Sequence, residues 1–186
     1  GHGSEDTITD MIRCASESGL SLFGISDHGP ATSSSAKPSY FQSLKLADRD
    51  RFGIRVLYGA ELNIINTAGD VDLDDEILSA LDYAIISIHP PIFKPYHDKD
   101  LSSAYIRAMD HPKVRFLGHI DDARFPVDFE YLLEIAKEKY VYPEINNGSL
   151  MPDAYRINGK ETCRRILSIC KKLDLPFLLS SASHGK

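Results

Sequence analysis

The sequence has no tryptophan and only three cysteines, Cys14, Cys163 and Cys170. No two of these form a C-x-x-C pair, which removes zinc-ribbon and thioredoxin-like sites from consideration. All three fall on apolar faces of predicted helices and are expected as buried free thiols, suited to a reducing cytosol. No Lys/Arg run is present, and 27 acidic against 21 basic residues give a net charge of -6. That balance argues against a protein gripping a nucleic-acid backbone, so no stable nucleic-acid binding is expected. Catalysis on a small anion stays open, because a metal ion can supply positive charge locally. No apolar run approaches the roughly 18 residues of a membrane span, and no signal peptide is visible, so a cytoplasmic protein is expected. G-x-S-x-G, P-loop, G-x-G-x-x-G and H-E-x-x-H patterns are all missing, and no nucleophile motif stands out.

What is present is a repeated ending. Phe23-Gly24-Ile25-Ser26-Asp27-His28-Gly29-Pro30 is an apolar run that delivers an acid and an imidazole before Gly-Pro stops it. Tyr83 to His89, Val114 to His119 and Phe177 to His184 repeat the pattern, each a strand that finishes in histidine. A further strand at 54–60 ends in Glu61, and one at 141–145 carries Glu144. Helical spacing falls between them, at 7–18, 40–51, 75–81, 101–109, 127–139 and 159–173. A polar loop occupies 29–39, and a turn forms around Ala68-Gly69-Asp70. At 186 residues and 42% hydrophobic, the chain is long enough for a real core and is expected to form one domain over 1–186. Six strands alternating with helices imply an α/β fold, a parallel sheet with helices outside, whose sites lie at the carboxyl ends of the strands.

His28, Glu61, His89, His119 and His184 come from five different strand ends, so the fold rather than local spacing would gather them. Any one of these histidines alone has an ordinary explanation as a hydrogen-bonded core or loop residue. Four at equivalent positions do not. Imidazole with carboxylate suits Zn, Mn or Fe, and such a cluster without a covalent nucleophile points to hydrolysis by metal-bound hydroxide. His111, in Asp-His-Pro, is expected to face a helix carboxyl end. His97 lies in a polar loop, where a substrate contact and a solvated residue are both open readings. His2, in a glycine-rich start, carries no signal of its own.

Ser26-Asp27-His28-Gly29-Pro30, Gly59-Ala60-Glu61-Leu62-Asn63, Ile88-His89-Pro90-Pro91, Gly118-His119, Glu144-Ile145-Asn146-Asn147 and Ser180-Ser181-Ala182-Ser183-His184 together resemble the PHP (polymerase and histidinol phosphatase) family. The likeness is to its small stand-alone bacterial phosphoesterases. It implies a distorted seven-stranded, TIM-like β/α barrel with up to three Zn, Mn or Fe ions, hydrolysing a small phosphorylated substrate. It also implies metal ligation by His28, Glu61, His89, His119, His184 and, from the resemblance only, His2. Asp27 would orient His28 or cap the turn, and Arg124, Lys94 and His97 become candidates for the phosphate. The family opens with a strand ending in His-x-His, which would precede Gly1 and bring six strands to seven. Relatives also continue past Lys186, and they carry aspartate where this sequence has Ala182. The resemblance therefore implies a barrel incomplete at both ends. A metal-dependent phosphomonoesterase, a catalytically impaired PHP module with a structural or binding role, and a metal hydrolase of another bond are the readings to separate.

Overall fold

The computed structural model describes residues 6–90, 92–93 and 99–181. Its frame is a sheet of six parallel strands, β1 (Leu22–His28), β3 (Ile54–Asn63), β4 (Tyr83–Ser87), β5 (Val114–Leu117), β6 (Tyr142–Asn146) and β7 (Leu178–Ser180), in that spatial order. Among the described residues six α-helices accompany them: α1 (Ile8–Glu17), α2 (Pro38–Ser43), α3 (Asp75–Ser79), α4 (Ser102–Ala108), α5 (Phe129–Glu138) and α6 (Gly159–Leu173). The consecutive parallel strands with intervening helices form an α/β half-barrel, the architecture of an incomplete TIM-like barrel. Among the described residues no helix is long and apolar enough to cross a membrane.

The helices begin and end where side chains can serve their free backbone groups. Thr7 closes a capping box with Asp10 at the start of α1, Asp74 caps α3, and Asp128 caps α5 by accepting from the Tyr131 amide. One expectation fails. Residues 40–51 are not a continuous helix, because α2 stops at Ser43 and Leu44–Leu46 form a 3-10 turn. A short strand β2 (Asp50–Arg51) then turns back antiparallel onto Ile54–Arg55. Phe52 and Gly53 both take positive φ, 50° and 77°, which is the geometry of a tight two-residue hairpin. The Arg49 guanidinium serves the freed carbonyls of Leu44 and Ala47 and pairs with Asp82 at 3.2 Å.

Register determines what faces the inside. His28 pairs with Glu61, Glu61 with Ile85, Asn63 with Ser87, and Phe116 lies between Ile85 and Tyr142. Side chains alternate along a strand, so the inner face carries His28, Glu61, Asn63, Ile85, Ser87, Phe116, Tyr142 and Glu144. Below the polar end of this face the interior is aromatic. Tyr83 meets Phe116 edge to face at 5.9 Å, and Phe116 meets Tyr142 at 6.5 Å. Gly59 makes room for that layer, since a Cβ there would stand 2.7 Å from the Tyr83 ring. The outer face, with Val56, Ala60, Leu62, Ala84 and Ile86, packs fully buried in the main core.

Candidate metal centre

The strand ends converge on Glu61. Its Oε2 lies 3.4 Å from His28 Nδ1, and its Oε1 lies 3.3 Å from His89 Nε2 and 2.9 Å from His119 Nε2. Ser87, two residues before His89 on the same face, donates to Glu61 Oε1 at 2.9 Å. The ligating atoms of His28, Glu61 and His89 all lie within 4.8 Å of one another. The rings pack edge to face, His28 on His89 at 5.1 Å and His89 on His119 at 5.4 Å.

His89 and His119 are oriented from behind. Asn63 Nδ2 donates to Asp72 Oδ2 at 2.6 Å, so Asn63 Oδ1 is the atom facing His89 Nδ1 at 2.7 Å. The proton of neutral His89 therefore sits on Nδ1, and Nε2 turns a lone pair toward Glu61. His119 reaches inward differently. Strict alternation from Phe116 would put residue 118 inside and residue 119 outside. His119 instead takes φ +56°, and its ring turns back to Glu61 and Glu144 on the inner face. A Cβ on Gly118 would meet Ser87 Oγ at 2.3 Å and Ile85 Cγ2 at 2.9 Å. His119 Nδ1 lies 3.1 Å from Glu144 Oε2, and Glu144 is itself held by Ser180 at 2.6 Å and Asn146 at 3.3 Å.

The electrostatics follow from this crowding. Burial pushes the Glu61 carboxyl up, but His119, His89 and His28 outweigh it and hold the group well below the usual carboxylate range. Burial pushes His119 down, and the carboxylates of Glu61 and Glu144 overcome that and raise it to about 10. Glu144 is likewise lowered, with His119 and Ser180 offsetting its burial. An unprotonated imidazole nitrogen aimed at a carboxylate oxygen is repulsive unless a proton or a cation stands between them. The residues present therefore fit a divalent ion. Two donors each about 2.0–2.1 Å from zinc in tetrahedral geometry stand about 3.4 Å apart, close to the His28–Glu61 and His89–Glu61 separations.

The other candidates fall elsewhere. His2, Lys94, His97, Ala182 and His184 lie outside the described residues. Asp27 accepts from the Tyr40 hydroxyl at 2.5 Å, on the face of β1 opposite His28. Arg124 is held by Asp122 through Nε at 2.9 Å and Nη2 at 2.5 Å, with its guanidinium 4.4 Å from the Tyr155 ring centroid. Asp122 pushes the Arg124 pKa up. His111 pairs with Asp75 of α3 at 2.7 Å rather than serving the end of α4. Sequence reasoning missed Asn63, Ser87 and Glu144 as partners of the ligands. Their period-two spacing from Glu61, His89 and Asn146 is the signal that could have found them. It also missed Arg156, whose Nη2 lies 3.0 Å from His119 Nε2.

A parallel β/α half-barrel with a histidine and carboxylate cluster at its strand ends belongs to the class of folds that hold catalytic cations. The PHP domain matches residues 1–147. A probable phosphatase of Clostridium acetobutylicum is 34% identical over 178 residues, covering 96% of this chain and 72% of its own length. A probable phosphatase of Vibrio campbellii is 33% identical over 178 residues, covering 96% and 71%. The chain belongs to the PHP domain family. Among solved structures, histidinol phosphate phosphatase of Lactococcus lactis, in complex with zinc, L-histidinol and phosphate, aligns at TM-score 0.60 and 18% identity, over 98% of this chain and 82% of that one. A chain of archaeal ribonuclease P with mature tRNA aligns at TM-score 0.59 and 18% identity, over 97% and 72%. At that identity both likenesses speak to the fold.

Proposed function

We propose that this protein is a metal-dependent phosphatase acting on a small phosphate monoester. The observation that carries the reading is Glu61, one carboxylate set against three imidazole nitrogens at the ends of its neighbouring strands, in a chain whose relatives are named probable phosphatases. His28, Glu61, His89 and His119 would hold the ions, up to three of Zn, Mn or Fe, with His2 and His184 as further ligands. Bound divalent ions supply Lewis acidity at the phosphoryl group and lower the pKa of water. The protein's own part is to present unprotonated nitrogens to the site. Asn63 does this for His89 by fixing its Nδ1 proton, and Glu144 does it for His119. Tyr83, Phe116 and Tyr142 form a partly buried aromatic layer beneath the cluster.

Release of inorganic phosphate from a panel of monoesters tests the reading. Activity should disappear with a chelator and return with Zn or Mn, while carboxylic esters remain uncleaved. Phosphate release that ignores chelation, or cleavage of esters lacking phosphate only, would remove the proposal. Ala182 favours a second reading, an impaired module that binds ions without turnover. Turnover that is absent in the native chain and stays absent when Ala182→Asp is combined with an added amino-terminal His-x-His strand would select it.

A further inference from the structure

Asp72 follows the turn after β3, where Ile64 bridges Val71, and three N–H donors converge on its carboxylate. Oδ1 accepts from the Asn63 backbone amide at 2.9 Å. Oδ2 accepts from the Asn63 side chain at 2.6 Å and from the Ala31 amide at 2.9 Å. The group packs directly on Gly29, where a Cβ would stand 2.3 and 2.4 Å from the two oxygens. These donors belong to two strand ends. Asn63 closes β3, and Ala31 lies in the loop that leaves His28 at the end of β1. That loop is wound onto the same corner. The Gly29 amide donates to the Glu61 carbonyl at 2.7 Å, and the Ser35 hydroxyl donates to the His28 carbonyl.

The chemistry of its neighbours decides which way the Asn63 amide points. A carboxylate can only accept, whereas the Thr32 hydroxyl, 3.1 Å from Asn63 Nδ2, can accept or donate. The Gly29 carbonyl also accepts, but from 3.5 Å. Asp72 is thus the short contact that turns Nδ2 away from His89 and leaves Oδ1 for His89 Nδ1 at 2.7 Å. An amide turned the other way would donate to Nδ1, move the imidazole proton to Nε2 and close that nitrogen to an ion. We propose that Asp72 is a positioning residue for the centre, fixing the His89 tautomer through Asn63 and anchoring the loop after His28 with the same oxygen. The inference rests on the metal-centre reading of His28, Glu61, His89 and His119.

Two isosteric variants separate the two roles, with zinc alone as the probe. Asp72→Asn sets an N–H face against some of the converging donors. The cheaper arrangement keeps the buried Asn63 backbone amide satisfied, leaves the exposed Ala31 amide to water and turns the Asn63 side chain over. Competition with a chromophoric chelator should then show zinc affinity about tenfold or more below native. NMR of the imidazole nitrogens in the metal-free protein should find the His89 proton moved to Nε2. Adding Asn63→Asp restores an acceptor-only group opposite His89, one that also accepts from the new amide. The double variant should recover most of the zinc affinity and return the proton to Nδ1. The Ala31 amide, still without its acceptor, should exchange with solvent faster than native in both variants. A merely structural role would leave both variants equally weak. Native-like zinc affinity in Asp72→Asn overturns the assignment, as does a double variant no better than the single one, or Ala31 exchange at the native rate. A native chain with the His89 proton on Nε2 that still binds zinc overturns it and leaves the metal centre standing. A native chain that takes up no zinc removes both.

Discussion

His119 and Gly118 show how single residues build the centre. The positive φ of His119 reverses strand alternation, and Gly118 leaves room for Ser87 and Ile85 to pack against the strand end. Gly118→Ala places a methyl group against Ser87 and Ile85, and overpacking of this kind costs about 1–3 kcal/mol. Denaturant unfolding should show that loss, together with weaker zinc binding, since Ser87 also holds Glu61. A variant as stable as native would mean that the strand end relaxes freely. Cys163 lies 2% exposed on α6, and burial, reinforced by Asp121, pushes its thiol up to about 12. Iodoacetamide at pH 8 should leave it unlabelled in the native fold and label it in urea, as peptide mass spectrometry can read. Labelling of Cys163 in the native protein would contradict its burial. Cys14, read as buried from helical spacing, is only half-buried, because α1 turns Ile12 and Ala15 fully inward. His28, Glu61, His89 and His119 were legible because a polar residue ending an apolar strand has few other reasons to recur. Arg156 was not legible, since it comes from an irregular segment with no period to place it.

Elements carry a different kind of information. Strand and helix positions from β3 onward follow the hydrophobic periodicity closely, and α6 spans the predicted 159–173. The failure at 40–51 has a backbone cause, because two successive positive-φ residues make a hairpin that apolar spacing does not announce. The junction of α4 and α5 depends on Asp100, whose Oδ1 accepts from the Ser102 amide at 2.9 Å, the Ser102 hydroxyl at 2.6 Å and the Asp128 amide at 3.2 Å. Burial pushes this carboxyl up, and the donors outweigh it and lower it. A carboxyl lowered in the folded state contributes fully above its ordinary value of 3.8 and loses that contribution as pH falls through the lowered one. Asp100→Asn should therefore lower the urea midpoint at pH 7, with the gap from native narrowing toward pH 3. An equal gap at both pH values would show that Asp100 acts by shape alone.

At the scale of the whole molecule, six parallel strands bring residues more than ninety positions apart, His28 through His119, onto one carboxylate. An aromatic layer lies beneath them and Arg156 beside them. The pattern of strand ends was enough to expect a cation site at one end of a parallel sheet. The supporting partners needed the register, which places Ser87 opposite Asn63 and Phe116 opposite Ile85. Membership of the PHP domain family joins that geometry to relatives named as phosphatases. The most direct measurement is metal bound per chain, by mass spectrometry, for native protein and Glu61→Gln purified without a histidine tag. Native protein should carry at least one Zn, Mn or Fe per chain, and Glu61→Gln, still folded by circular dichroism, should lose most of it. A native chain without stoichiometric metal, or a Glu61→Gln variant that keeps it, would show that this carboxylate does not organise a metal centre.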